Sequence, residues 1–520
     1  MFFGKYAMSV WAIAGLVCGC CATASADPLT VKVEQGTIHG KAIHDGQVKA
    51  FLGLPYAAPP VGELRWKAPQ PATRWQGVRE ATSFGAHCAQ NAVFADMIFP
   101  DPGPSEDCLY LNVYAPASAK EGSKLPVMFW IHGGGYQGGA ASEPRHNGDF
   151  LPTEGVVLVT INYRLGIFGF LTTEELAQES GGAAGNYGLM DMIAALQWVK
   201  ANIASFGGDP GNVTIFGESA GSFAVSTLMA SPMARGLFQK AIGESGSALG
   251  SGLGGKTVAQ QGPVGSAWVA SLGVKSLAGL RAMPTAALLD AAGKKGAPQM
   301  STVIDGTVLV EPVADTYAAG RQAHLPLLAG WNRDEGSFAA ARGVTAEQWK
   351  QQAGKLYGEH AKELLALYPG ESDAQALRSA IDYAGDSFIA LGTWKWIEAQ
   401  AKTGQAPVYR YFFTLAAPSS KFHPGEFAFH SDDIEYVFGT LETRPGATWR
   451  KEDWNLSEAV MSYWTNFAKT GDPNGPGLAH WPRYDRGHEL LRLDKEIAPG
   501  PDTTRERYEF LMKWMPPAPF

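Results

Sequence analysis

Apolar residues along this chain follow two different periods. Five short runs are dominated by β-branched, aromatic and leucine side chains: LPVMFWI (Leu125–Ile131), VVLVTIN (156–162), VTIF (213–216), LPLLAG (325–330) and PVYRYFF (407–413). Runs that are apolar on successive positions suit strands covered on both faces, the environment of a mostly parallel sheet. Between two of them lies YGLMDMIAALQWVKANIASF (187–206), where Leu189, Ile193, Leu196, Val199 and Ile203 recur at helical spacing. Strand, helix, strand is the repeating unit of an α/β protein. From about 259 to 402 the pattern turns Ala-rich and helical, apart from the LPLLAG strand. That stretch is expected to supply helical insertions over a central sheet flanked by helices. No internal repeat or second-domain boundary interrupts the pattern.

Two of the strands end in glycine-rich corners. After VTIF comes Gly217-Glu218-Ser219-Ala220-Gly221, and a helix-capable segment follows. This is the G-x-S-x-G nucleophile elbow of the α/β-hydrolase fold, which exposes a serine hydroxyl between a strand and a helix N-terminus. Glycines allow the backbone to approach where a Cβ would clash, and the free N–H groups of the helix end suit a developing oxyanion. After LPVMFWI comes His132-Gly133-Gly134-Gly135, the kind of loop that supplies the other oxyanion donors. The candidate donors are Gly134, Gly135 and Ala220. A similar stretch, GESGS (243–247), lacks the second glycine at the right offset for Ser245. GDSF (385–388) has no glycine-rich strand before it, so Ser387 reads as structural.

A serine at its ordinary pKa needs a base, and in this fold the order is Ser, acid, His. Downstream histidines are His324, His360, His423, His430, His480 and His488, and order alone does not choose among them. Nor does it choose between Asp334 and Glu335 after the LPLLAG strand.

The first 26 residues read as a signal peptide. Lys5 precedes the apolar stretch at 10–17, and Ala24-Ser25-Ala26 offers a cleavage site before Asp27. Export to the periplasm or beyond is therefore expected, with residues 27–520 as the functional domain. A lipoprotein acylated at Cys20 is the alternative. Three of five cysteines lie in this leader; the remaining pair, Cys88 and Cys108, suits a disulfide in an exported protein. A net charge of −8 without a basic tract argues against nucleic acid as a partner, and beyond the leader no apolar run is long enough to span a membrane. Oligomeric state leaves no mark in the sequence.

Longer stretches carry a resemblance. FLGLPYAAPPVGELRWKAPQP (51–71), EDCLYLNVY (106–114), the whole of 185–222, NFAKTGDPN (466–474) and WPRY (481–484) are similar, in this order, to the blocks of type B carboxylesterases, which include cholinesterases and secreted microbial esterases. The resemblance covers almost all of 27–520. It implies an α/β-hydrolase fold and a serine carboxylic-ester hydrolase that acts on small-molecule esters through an acyl-enzyme, with no metal or cofactor. It also assigns what order left open. The acid of the family's N-x-D-E-G stretch falls on Glu335, and the base before its acidic-Ile-x-aromatic-Val-Phe-Gly run falls on His430, in HSDDIEYVFG (430–439). Ser431 stands where the family often has glycine. Ser245 matches a serine that supports the triad acid, and the family's disulfide supports a Cys88–Cys108 bridge. Two other readings belong to different classes: a catalytically inactive, cholinesterase-like adhesion or binding protein, and a serine peptidase or amidase on the same fold. Loss of the serine or base would mark the first, and both are present; amide against ester turnover separates the second.

Overall fold

The computed structural model describes residues 1–5, 27–250 and 254–516, except the side chains of 341 and 342. The apolar core of the expected leader, its expected cleavage site and Cys20 lie outside the described residues.

One sheet of eleven strands organises the chain. In chain order they are β1 (Lys41–Ile43), β2 (Val48–Pro55), β3 (Tyr110–Pro116), β4 (Leu125–Ile131), β5 (Val157–Ile161), β6 (Gly208–Glu218), β7 (Lys240–Glu244), β8 (Leu327–Asn332), β9 (Val408–Phe413), β10 (Glu489–Leu493) and β11 (Ala498–Pro501). Across the sheet they run β1-β2-β3-β5-β4-β6-β7-β8-β9-β10-β11. From β5 to β10 every pairing is parallel; the strands outside that block pair antiparallel. All five apolar runs of the sequence lie inside the parallel block.

Their continuous apolarity has a direct cause. Along β4, Val127, Phe129 and Ile131 enter one core, while Met128 and Trp130 enter another on the opposite face. Successive side chains of a strand point to opposite faces, so a strand covered twice is apolar at every position. Each fully buried large apolar side chain contributes about 1.5–3 kcal/mol. One face is covered by α1 (Tyr187–Asn202), α2 (Ala220–Ala230) and α3 (Leu391–Thr403). The other is covered by α4 (Ile434–Phe438) and α5 (Lys451–Thr470). The expected helix over 187–206 ends as a 3-10 turn at Ile203–Phe206. The Ala-rich stretch is indeed mostly helical, with β8 passing through it.

β4 sits at the reversal of strand order: β5 follows on one side of it and β6 on the other. In open parallel sheets such a reversal leaves a crevice beyond the carboxyl ends of the strands. The two glycine-rich corners, after β4 and after β6, both open into that crevice.

Candidate active site

Ser219 takes φ 53° and ψ −121° between β6 and α2, a conformation that L side chains avoid and that costs on the order of 1–3 kcal/mol. The glycines around it make the turn possible. A Cβ on Gly221 would lie 1.9 Å from the Ile131 carbonyl oxygen at the end of β4, and one on Gly217 would lie 2.6 Å from the same oxygen. Ser219 donates its own N–H to the Glu244 carbonyl of β7 at 2.8 Å. Ala220 opens α2, so its N–H has no partner within the helix.

The loop after β4 packs directly against this corner. A Cβ on Gly133 would stand 3.1 Å from Ser219 Cβ. Gly134 and Gly135 both have positive φ, 99° and 62°, and Gly134's carbonyl accepts from Gln137 and Gly138 N–H at 2.9 and 3.0 Å. His132, which begins the loop, stacks on Tyr163 with ring centroids 4.4 Å apart. Burial drives its pKa down to about 3, so it stays neutral and anchors the loop. The Cys88–Cys108 disulfide is formed. Closing a loop of that length restricts the unfolded chain by on the order of 3 kcal/mol.

The histidine and the acid arrive from loops after β9 and β8. His430 Nε2 lies 2.8 Å from Ser219 Oγ, and Nδ1 lies 2.5 Å from Glu335 Oε2. The other Glu335 oxygen accepts from Ser245 Oγ at 2.6 Å and from the Asn332 N–H at 2.8 Å. Thus Ser219, His430, Glu335 and Ser245 form one chain of hydrogen bonds. Asp334 points away, paired with Arg333 and Arg378. His423 stacks on Phe429, with centroids 3.7 Å apart. His360 stacks on Trp514, His324 contacts the Gly320 carbonyl, His488 lies beside Arg505, and His480 is exposed. Ser387 lies in a π-helical turn, Asp386–Ala390, whose Phe388 ring meets His430 edge-on at 5.5 Å.

A cavity of about 820 Å³ opens onto Ser219 and His430. Part of its wall is aromatic and apolar, including Met97, Phe338, Phe388 and Phe427; another part carries Asp96, Glu143, Arg145 and His146. Among the described residues, no group of three or more His, Cys, Asp or Glu is arranged to hold a metal ion.

Glu218 lies inside the elbow, at a position that the G-x-S-x-G pattern leaves unspecified. It is buried, and Oε1 stands 3.3 Å from His430 Nε2. Burial pushes its carboxyl up to about 8, against the pull of His430. Burial also works against the imidazolium, but Glu218 and Glu335 outweigh it and raise His430 to about 9. Each group's charge favours the other's, so the two titrations are coupled. The available signal was a carboxylate ending an otherwise apolar strand, VTIFGE.

Comparison with known proteins gives a consistent neighbourhood. The Carboxylesterase family model matches residues 27–511. A fumonisin B1 esterase of Sphingopyxis macrogoltabida is 36% identical, covering 91% of this chain and 88% of the relative. A cocaine esterase of Homo sapiens is 36% identical, covering 95% and 92%. A solved PNB esterase structure superposes with a TM-score of 0.79 at 34% identity, covering 94% of this chain and all of its own.

Proposed function

This chain belongs to the carboxylesterase family and is a carboxylic-ester hydrolase, and we propose that it works through an acyl-enzyme on Ser219, with His430 as base and Glu335 as the acid behind it. The observation that carries this reading is the 2.8 Å and 2.5 Å pair of contacts through His430, on the wall of the large cavity. His430 Nε2 takes the Ser219 proton as Oγ attacks the ester carbonyl. Charge gathers on the carbonyl oxygen, where the N–H groups of Gly134, Gly135 and Ala220 stabilise it. The imidazolium then protonates the leaving alcohol, and the same nitrogen activates the water that frees the acid. Glu335 holds the ring's orientation and stabilises its positive form; Ser245 and the Asn332 N–H hold Glu335.

The domain that does this is 27–520, and residues 1–26 are its export signal, with Cys20 acylation as the competing fate of the leader. The Cys88–Cys108 disulfide supports an oxidising destination, periplasmic or extracellular. Among the described residues no helix is long and apolar enough to cross a membrane. Small-molecule esters are the substrates, held by the aromatic part of the cavity.

The base assignment has a direct test. His430→Ala should lose ester turnover by about 10³-fold or more, while His423→Ala should stay within about threefold of wild type. Measuring kcat/KM for both purified variants decides; an inactive His423→Ala beside an active His430→Ala overturns the assignment.

A further inference from the structure

The disulfide loop grips the loop after β4 at two points. Gln90, two residues beyond Cys88, donates from Nε2 to the Gly139 carbonyl at 2.9 Å and accepts from the Gly139 N–H at 2.8 Å. The same Nε2 also donates to the Cys88 carbonyl at 2.9 Å. One side-chain amide thus stands in for a strand partner to Gly139, tied to the base of the disulfide. Further along, Asp101 accepts from Ser142 Oγ at 2.6 Å, and its other oxygen lies 2.8 Å from His87 Nδ1.

Gly139 is not a passive end of the loop. Its φ is 116°, and a Cβ there would lie 2.2 Å from His132 Nδ1, so it is pressed against the residue that begins the glycine run. Gly138, beside it, donates to Gly134, and a Cβ on Gly134 would lie 2.1 Å from the Gly138 carbonyl oxygen. Glycine backbone has no side chains to brace it and loses more freedom on ordering than any other. A loop that is mostly glycine from 133 to 139 therefore needs its rigidity from outside.

We propose that Gln90 is a positioning residue for the oxyanion hole: through its paired hydrogen bonds to Gly139, the disulfide loop fixes where the N–H groups of Gly134 and Gly135 point. The inference rests on the proposed reading of Ser219 and the oxyanion donors. Donors help only when fixed around the position the oxyanion will occupy, and a misplacement of about 1 Å costs on the order of 10²-fold. Loss of Gln90 thus weakens transition-state binding rather than substrate binding.

The test is Gln90→Leu in the full chain, which keeps the side chain's bulk and removes both hydrogen bonds to Gly139 along with the one to the Cys88 carbonyl. With p-nitrophenyl acetate, kcat should fall by about 10- to 100-fold while KM stays within about threefold. Affinity for an alkyl trifluoromethyl ketone, which adds Ser219 to give a bound oxyanion, should fall by a similar factor. The thermal midpoint is followed in parallel. Unchanged kcat, or a lower kcat with undiminished ketone affinity, overturns the proposal. If Gln90→Leu does not fold, Gln90→Asn carries the same test, since it keeps the amide but is one methylene too short to reach both partners. Ser219→Ala, run alongside, separates the two levels. An active Ser219→Ala sinks the underlying reading; an inactive one beside a wild-type-like Gln90 variant sinks only this one.

Discussion

β6 and β7 lie side by side, paired in register with Gly217 opposite Gly243 and Glu218 opposite Glu244. Each ends Gly-Glu-Ser, and each serine takes φ 53°. Two nearly identical corners thus stand next to each other, and only Ser219 of the two serines lines the large cavity. Ser219 is followed at once by α2, whereas Ser245 runs into a turn. Ser219 meets His430 and is partly exposed; Ser245 is fully buried and donates to Glu335. The two are joined: Ser219 donates its N–H to Glu244, Ser245 donates its own to Gly330 of β8, and a Cβ on Gly246 would lie 2.7 Å from the Ser219 carbonyl. A strained serine after a parallel strand is therefore not enough to place a hydroxyl at the cavity beside a histidine. What differs is the helix N-terminus behind the hydroxyl and the cavity in front of it.

The strongest way to break this comparison is to exchange the losses. Ser219→Ala should keep the fold and lose about 10³-fold or more of ester turnover. Ser245→Ala removes one hydrogen bond from a buried carboxylate that retains two other partners, Asn332 N–H and His430. That is worth about 1.4 kcal/mol, or about tenfold in kcat. Kinetics on both purified variants, with circular dichroism as the folding control, settle the order. Equal losses at the two positions would mean that the corners share one role.

The sequence makes the exposed corner easier to read than the buried one. Strands covered on both faces announce themselves as unbroken apolar runs, and β4 was readable to its ends for that reason. The elbow and the HGGG loop were legible because close backbone approach leaves glycine as the residue that fits, as at Gly217 and Gly221. The proposed acid and base were not legible from the residues alone. Asp334 and Glu335 are adjacent carboxylates, and only the tertiary fold sends one to arginines and the other to His430. Family resemblance, not spacing, singled out His430 among six histidines and gave Ser245 its place. Strands outside the parallel block went unread too: β2 carries Gly53 inside it, and β11 holds Pro499 and Pro501 around Gly500, so neither offers a clean apolar run. Gln90 was invisible for another reason, since its two bonds into the glycine loop reach Gly139, 49 residues away.

The two glutamates sharpen the comparison further, with the smallest effect. Glu218 lies 3.3 Å from His430 Nε2. Glu244 instead accepts from Trp464 Nε1 at 2.7 Å, and burial raises its carboxyl. In the proposed mechanism only the neutral imidazole accepts the serine proton, so kcat/KM should fall as pH drops through the pKa of the free enzyme's base. Negative charge beside the ring favours the imidazolium, which is why His430 is held up at about 9 despite burial. Glu218→Gln deletes one such charge and lowers that pKa. The acid limb of the kcat/KM profile should then move to lower pH by about one unit, leaving the variant with more of its plateau activity at mildly acid pH than wild type keeps. Glu244→Gln should leave the limb nearly in place, since its carboxyl faces Trp464 rather than the imidazole. Profiles of the three proteins on a neutral ester, at constant ionic strength, read the difference. An unmoved limb in Glu218→Gln would mean that the Glu218 carboxyl is already protonated there, so that no charge on it reaches His430. Equal shifts in both variants would mean that the two buried carboxyls act on the base as one cluster, and that the corners differ only in their serines.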